Sequence, residues 1–308
     1  MGWKRLGRIF APENQANWFA SHAATPVVEV LSDSLVRVYF SGRDIKNRAQ
    51  IGFFEIDPND PFTILRVSDA PVIPFGPLGS FEDSGVISTC LVKTDDRDYF
   101  YYVGITLGQT VPFFFFAGLA TRQKGSHEFV KYSPAPLIGP HRVDPYLVGQ
   151  SYVLVEGNLW RMWYVSATHW EATERGPKHY YLIKYAESSD GIEWHRTGRI
   201  CIGFANASEY AIAKPWVIKE NDIYKMWYCF RGQSYRIGYA ESKDGLEWER
   251  KDSFGGLEIS ESGWDSEMTA YPYLLDHQGQ RYLFYNGNGY GRSGIGLAVW
   301  EDSETNIG

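Results

Sequence analysis

One motif returns five times along the chain, and its spacing constrains the fold more than any other feature. Strand-like stretches ending in paired aromatic or equivalent residues occur at 36–40 (VRVYF), 99–103 (YFYYV), 160–164 (WRMWY), 224–228 (YKMWY) and 281–285 (RYLFY). With Tyr39, Tyr102, Trp163, Trp227 and Phe284 taken as equivalent, the intervals are 63, 61, 64 and 57 residues. A second ladder follows the first: QIGFF, FAGLA, LIKYA, RIGYA and GIGLA. Its central residues Gly52, Gly118, Lys184, Gly238 and Gly296 are 66, 66, 54 and 58 apart. Two independent markers with one period indicate repeated units of about 60 residues, the length of a four-stranded propeller blade.

Each repeat divides into four short strands. Strand A is apolar, as in KPWVIK (214–219); strand B ends in the aromatic marker; strand C is the xIGxA stretch; strand D follows a turn, as in IEWHRT (192–197) and LEWERK (246–251). Apolar and polar residues alternate in these runs with the period of two that half-buried strands require, and no stretch sustains a helical period. Ser188-Ser189-Asp190-Gly191 and Ser242-Lys243-Asp244-Gly245 are read as C–D hairpin turns with Gly at positive φ. The last repeat lacks a strand D, because only EDSETNIG follows GIGLAVW. The N-terminal strand WKRLGRIF (3–10) can supply it and so remove an open edge. The expected fold is therefore all-β: a single domain over 1–308, a five-bladed β-propeller of four-stranded antiparallel blades. The blades are placed near 11–75, 76–137, 138–203, 204–259 and 260–308, with the N-terminal strand closing the last.

Composition narrows the function. An aromatic share of 16%, with 11 Trp and 21 Tyr, suits both strands and sugar-binding surfaces. A net charge of −7 without a basic block argues against nucleic acid or an anionic membrane as partner. Cys90, Cys201 and Cys229 are scattered, so no disulfide framework or metal spacing is visible. The seven histidines form no ligand cluster. No cofactor is expected; a structural calcium in a central channel is compatible with the sequence. The N-terminus lacks an apolar leader core and no stretch is long enough to span a bilayer, so a cytoplasmic protein is the expectation; the oligomeric state is not legible.

In a propeller the loops entering strand A and those linking B to C converge on one end of the axis. Four repeats place an acid where strand A begins: Glu82-Asp83, Asp144, Glu209 and Asp265-Ser266-Glu267. Repeat one has Asn17, Ser21 and His22 instead. Carboxylates facing each other raise one another's pKa, and a protonated acid beside an ionised one is the pairing that glycoside hydrolysis uses. Such acids also cap strands or pair with bases, and for any single one that role is the commoner. Arg43, Asp44, His169, Trp170 and Arg231 on the B–C side, with His22, His141, Arg142, Lys214 and Asp265 near strand A, are candidates for binding sugar hydroxyls and faces.

These five repeats, with the xIGxA strand and the S-x-D-G-x-x-W turn, resemble the five-bladed propeller glycosidases over almost the whole chain. That group comprises arabinanases and xylosidases (glycoside hydrolase family 43), invertases (family 32) and mannoside phosphorylases and hydrolases (family 130). Phe81-Glu82-Asp83-Ser84-Gly85-Val86-Ile87 looks most like the family 130 stretch whose Asp donates the proton, although Ser84-Gly85 stands where that family has Pro-Arg. The resemblance implies Asp83 as general acid, Glu209 or Glu267 as base, and Asp144 as pKa modulator or hydroxyl ligand. The first-blade Asp of invertase-like enzymes has no counterpart here. Phosphorolytic members bind phosphate through several basic residues, which His141, Arg142 and Lys214 match in part. The expected activity is an inverting glycoside hydrolase acting on a small glycan. The alternatives are a phosphorylase or glycosyl-transferring relative, and a non-catalytic carbohydrate-binding propeller.

Overall fold

A computed structural model of the protein describes residues 2–13 and 15–301, and its regular structure is almost entirely β-strand. The chain runs through β1 (Gly2–Phe10), β2 (Ser21–Ser32), β3 (Leu35–Arg43), β4 (Ala49–Asp57), β5 (Asp60–Val67), β6 (Gly85–Lys93), β7 (Arg97–Leu107), β8 (Phe113–Gln123) and β9 (Val130–Lys131). It continues through β10 (Val148–Glu156), β11 (Leu159–Thr173), β12 (Gly176–Ser188), β13 (His195–Ile202), β14 (Ala211–Glu220), β15 (Ile223–Arg231), β16 (Tyr235–Ser242) and β17 (Glu249–Arg250). A single turn of helix, α1 (Asp252–Gly255), then precedes β18 (Ala270–His277), β19 (Gln280–Asn286) and β20 (Ile295–Glu301). No helix among the described residues is long and apolar enough to cross a membrane.

Neighbouring strands pair in antiparallel meanders: β2–β5, β6–β9, β10–β13, β14–β17, and β18–β20. The last is completed by β1, which pairs with β20, Trp3 opposite Trp300 and Arg5 opposite Ala298. The N-terminal strand thus supplies the fourth strand that the final repeat lacks. Single parallel bridges, Ala49 with Gly85 and Tyr181 with Ala211, link adjacent meanders. The first strand of each meander packs on the first strand of the next: β2 on β6, β6 on β10, β10 on β14, β14 on β18, and β18 back on β2.

The strand-C ladder has one register throughout. Gly52, Gly118, Lys184, Gly238 and Gly296 stand opposite Phe40, Tyr102, Tyr164, Tyr228 and Tyr285. The strand-B ladder needs one correction. Tyr39, Trp163, Trp227 and Phe284 face Phe53, Tyr185, Tyr239 and Leu297, whereas in the second meander the residue in that row is Tyr101, opposite Leu119. Tyr102 belongs to the other face. Residues 99–102 are all aromatic, so alternation could not distinguish the two faces, and a slip of one residue exchanges them.

The two faces have different work. Row one crosses to the next turn: Tyr101 donates its hydroxyl to Gly191 O at 2.7 Å, and Trp163 donates Nε1–H to Gly245 O at 2.8 Å. Those glycines are the turn residues expected from sequence, with φ of 74° and 77°. The preceding aspartates order the turns, Asp190 Oδ1 accepting the amides of Ile192 and Glu193 at 2.8 and 2.9 Å. Row two lays an aromatic ring across strand C. A Cβ at residue 118 would lie 2.4 Å from the Tyr102 ring, and one at 238 would lie 2.4 Å from Asp252 Oδ1 and 2.9 Å from the Tyr228 ring. Glycine recurs there because the ring occupies the side chain's place.

Every inner strand carries a bulge at the same level, between Ala24 and Val27, Ser88 and Cys90, Val148 and Ser151, Ala213 and Trp216, and Ala270 and Tyr273. In three of them the bulge is a residue before proline in the left-handed region: Thr25 (φ 53°), Lys214 (φ 50°) and Tyr271 (φ 56°). Such backbone costs about 1–3 kcal/mol per residue and persists only where surrounding structure enforces it. Replacing Gly118 or Gly238 by alanine is expected to lower unfolding free energy by about 1–3 kcal/mol through overpacking. Urea denaturation measures it, and a change within the noise would show that the ring moves aside.

Candidate functional site

The bulges gather one residue from each inner strand near the axis: Thr25, Ser88, Gln150, Lys214 and Tyr271, each at most 9% exposed. They are tied across meanders. Thr25 Oγ1 lies 3.0 Å from Ser88 Oγ, which donates to Thr25 O at 2.6 Å. Asn286 Oδ1 accepts the Thr25 amide at 2.8 Å. Lys214 reaches from β14 to β6, donating Nζ–H to Thr89 O at 2.6 Å. Burial holds its pKa down to about 8, countered weakly by the Cys90 and Cys229 thiols. This donor set of hydroxyls, an amide and an ammonium holds no carboxylate and does not fit the calcium that the sequence allowed.

Above these residues opens a cavity of about 250 Å³. Thr25, Gln150 and Tyr271 line it together with Ser41, Arg43, Ser84, Ile87, Phe113, Phe115 and Tyr290. Convergent polar groups in an aromatic-walled hollow where strands meet are the ordinary form of a small-molecule site. A larger cavity of about 490 Å³ lies beside β15, β19 and β20, but Arg281 in its wall is already paired with Asp276 and Glu220, and Lys225 with Glu220.

The long hairpin of β11 and β12 extends the wall of the axial cavity. Trp170 packs edge-on to Phe113 at 5.4 Å and to His179 at 5.5 Å. His179 stacks on Tyr181 at 4.7 Å with its Nε2 buried and unpartnered. Burial, then Arg231 and Lys178, lower its pKa to about 4, so the ring is neutral at pH 7. The hydroxyls of Tyr181 and Tyr235 meet in a hydrogen bond. Arg231 lies over the rings of Tyr210, Tyr235 and Tyr290 at 5.1 to 5.4 Å. His169 is exposed and stacks on Tyr180 at 4.3 Å. His22, with φ 61°, is held near pKa 4 by burial and by the cations Arg43 and Arg292.

The row of acids has a different environment. Glu82, Asp144, Glu209 and Asp265 are all buried, and each meets a cation from the fourth strand of its own meander. Lys131 Nζ is 2.7 Å from Glu82, Arg196 Nη1 is 2.9 Å from Asp144, and Arg5 Nε is 3.0 Å from Asp265. Arg250 grips both oxygens of Glu209 at 2.7 and 2.9 Å. The row-two tyrosines complete two of these pairs directly, Tyr164 donating to Asp144 Oδ2 at 3.0 Å and Tyr285 to Asp265 at 2.9 Å. Tyr228 donates instead to Asp252 at 2.6 Å, which shares Arg250. Burial first, and then the neighbouring carboxylate, push these phenols well above their usual range, so they remain donors. Where the glycine is replaced by Lys184, its Nζ takes an oxygen of Asp144 at 3.1 Å. These four acids therefore brace strand D against the loop that enters strand A and, through Tyr164 and Tyr285, against strand B.

Two of the acids expected at the site stand outside that bracing. Asp83 is half-buried beside Ser84, a residue of the cavity wall; it accepts the Gly79 amide at 3.0 Å and the Ser84 hydroxyl at 2.8 Å. Glu267 is exposed on the loop before β18, its amide bonded to Asn288 Oδ1 at 2.8 Å. Neither carboxylate forms an ion pair among the described residues. Asp44 is taken up by Arg48 at 2.8 Å and by loop amides, while His141 and Arg142 are exposed on the loop preceding Asp144. Sequence reading missed Gln150, Tyr271, Phe113, Phe115 and His179. A usable signal existed for Tyr271 in the repeated X-Pro of Thr25-Pro26, Lys214-Pro215 and Tyr271-Pro272.

If Asp144 and Glu209 brace the meanders, Asp144→Asn and Glu209→Gln remove one partner of a buried pair and should each lower stability by about 3–5 kcal/mol. Thermal unfolding tests this; variants as stable as wild type would exclude the bracing role. For Lys214 the folded pKa lies below the unfolded one, so the unfolded chain holds the extra proton between about pH 8 and 10.5. Wild-type stability should accordingly rise relative to Lys214→Met across that window. A difference constant with pH would show that the ammonium is not destabilised by burial.

No model of a known protein family matches the chain. Among solved structures, the BT0996–RGII complex aligns with a TM-score of 0.75 at 19% identity, covering 97% of this chain and 92% of that one. A glycosyl hydrolase from Bacteroides ovatus aligns at 0.69 and 14% identity, covering 97% and 94%. A thermostable family-43 glycoside hydrolase aligns at 0.65 and 14%, covering 95% and 94%. The chain thus shares its fold with these solved structures. In sequence, the uncharacterized proteins Rv1502 and MT1551 of Mycobacterium tuberculosis are each 39% identical over 303 residues, 98% of this chain and the whole of either relative. The chain belongs to the same family as these two mycobacterial proteins.

Proposed function

We propose that the five meanders are blades of one closed five-bladed propeller and that its axial cavity receives a glycan. What supports the closure is the cyclic packing of β2, β6, β10, β14 and β18, with β1 completing the last meander. On this reading the protein is a glycoside hydrolase. Asp83 is the general acid, as the family 130 likeness of residues 81–87 implies, and Glu267 is the base that activates water. The observation that carries the assignment is the division among the acids. Glu82, Asp144, Glu209 and Asp265 are each held by a cation, whereas Asp83 stands beside the cavity wall without one. An acid fixed in an ion pair is a poor proton donor; one held by a hydroxyl and an amide can exchange its proton with a bound glycosidic oxygen.

A second reading has its own support. Blade one offers His22 and Ser21 in place of an acid, and most of the acid row is neutralised, which suits a carbohydrate-binding propeller without turnover. The two separate in one experiment. Asp83→Asn is expected to reduce glycan cleavage by at least about a hundredfold while leaving thermal stability and glycan binding intact. Cleavage unchanged in this variant would remove Asp83 from the mechanism. Saturable binding with no product from wild type would establish the binding reading, and a rate that depends on phosphate would mark a phosphorylase.

A further inference from the structure

We propose that the axial cavity selects an anionic glycan, a sugar bearing a carboxylate or phosphate, and that Arg43 and Arg231 bind the anion. The inference rests on the carbohydrate reading above and narrows its substrate class.

The chain carries more acids than bases, 37 against 30. Guanidinium groups buried to a similar degree away from the axis find carboxylates: Arg37 with Glu55 at 2.6 Å, Arg161 with Glu156 at 2.7 Å, Arg250 with Glu209 at 2.7 Å. Arg43 and Arg231 are half-buried and pair with no carboxylate among the described residues. Arg43 lines the cavity and uses one donor, Nη1, on Asn47 Oδ1 at 3.0 Å. The acid next to it, Asp44, is committed to Arg48. Arg231 has its Nε buried without a partner. Its ring contacts hold the guanidinium in place but leave its N–H donors open. One of those rings is Tyr290, which lines the cavity with Arg43.

His22 reports the sign of the field. Burial first, and then the cations Arg43 and Arg292, lower its pKa to about 4, so it is neutral at pH 7. In a chain that is acidic overall, two partly desolvated guanidinium groups without counterions, Arg43 lining the cavity and Arg231 behind the Tyr290 ring of its wall, are stabilised when a ligand brings the missing charge. Arg presents the planar fork that matches carboxylate and phosphate oxygens alike.

Calorimetric titration of the full chain with galacturonic acid oligomers, glucose 1-phosphate, inorganic phosphate and neutral arabinose oligomers tests the proposal. An acidic sugar should bind more tightly than the neutral ones, and whether uronate or phosphate wins identifies the anion. Arg43→Met and Arg231→Met should each weaken that binding about ten- to a hundredfold, the loss of a charge-assisted hydrogen bond. Arg43→Lys, which keeps the charge and fills the same space, should fall between wild type and Arg43→Met. Neutral oligomers bound as tightly as acidic ones, with affinities unchanged in the arginine variants, would overturn the anion inference and leave the carbohydrate reading standing. Refusal of every sugar, with or without binding of inorganic phosphate, would overturn both.

Discussion

The arrangement depends on a close approach: an aromatic ring from strand B or from the loop entering strand A lies directly on strand C, where a side chain would otherwise be. In the second and fourth meanders the ring is Tyr102 or Tyr228; in the first it is Trp18, 2.2 Å from where a Cβ on Gly52 would lie. In the third and fifth meanders the hydroxyl of the corresponding tyrosine, Tyr164 or Tyr285, reaches the loop that enters strand A. An acid there can then gather the phenol and the cation of strand D in one buried group. Loop, strand B and strand D are thereby fixed together, although hydrogen bonding within the sheet joins only adjacent strands. The outermost strands need this tie most. β9 and β17 are two residues long and have little ladder of their own.

The same bracing determines what charge remains for the axis. Each acid of that row meets its cation inside a meander, so neither contributes net charge to the cavity. The first meander forms its brace without charge, from Trp18, Phe19 and Phe40, with Trp18 Nε1–H donating to Ser68 O at 2.8 Å. His22 and Arg43 on that side consequently have no acid to neutralise them. An empty position in the acid row, which looks in sequence like a missing catalytic residue, becomes the reason for a positive region beside the cavity.

Much of the fold was legible because repetition is visible without coordinates. The strand-C glycines kept their register, the Asp-Gly turns fell where expected, and the N-terminal strand found the gap left at the end of the chain. The slip at Tyr102 came from four consecutive aromatic residues, which have no period. The acid row was legible as a position but not as an environment. Its cations lie 49, 52 and 41 residues downstream in the middle meanders and 260 residues upstream in the last. No local pattern announces a partner at such distances. The cavity wall was hidden for the same reason as the row at Tyr102: Phe113 and Phe115 belong to four consecutive phenylalanines, 113–116, which have no period to mark the face turned to the cavity.

The inner bulges mark the axis in the sequence itself. A residue before proline is driven out of the right-handed helical region, and Thr, Lys and Tyr are all poor occupants of the left-handed one. Yet Thr25, Lys214 and Tyr271 adopt it at equivalent points of three repeats. Strain repeated at one level of a fold is difficult to attribute to packing alone, because the three side chains have nothing in common in size or polarity. Their common property is place: each bulge shifts its strand so that a polar or aromatic group stands at the axis instead of the next residue of a regular ladder. Fully buried Lys214, with its ammonium on a backbone carbonyl and no acid beside it, is the costliest of the three. A strand that only had to pack would place leucine there; the lysine instead ties β14 to β6 through the Thr89 carbonyl.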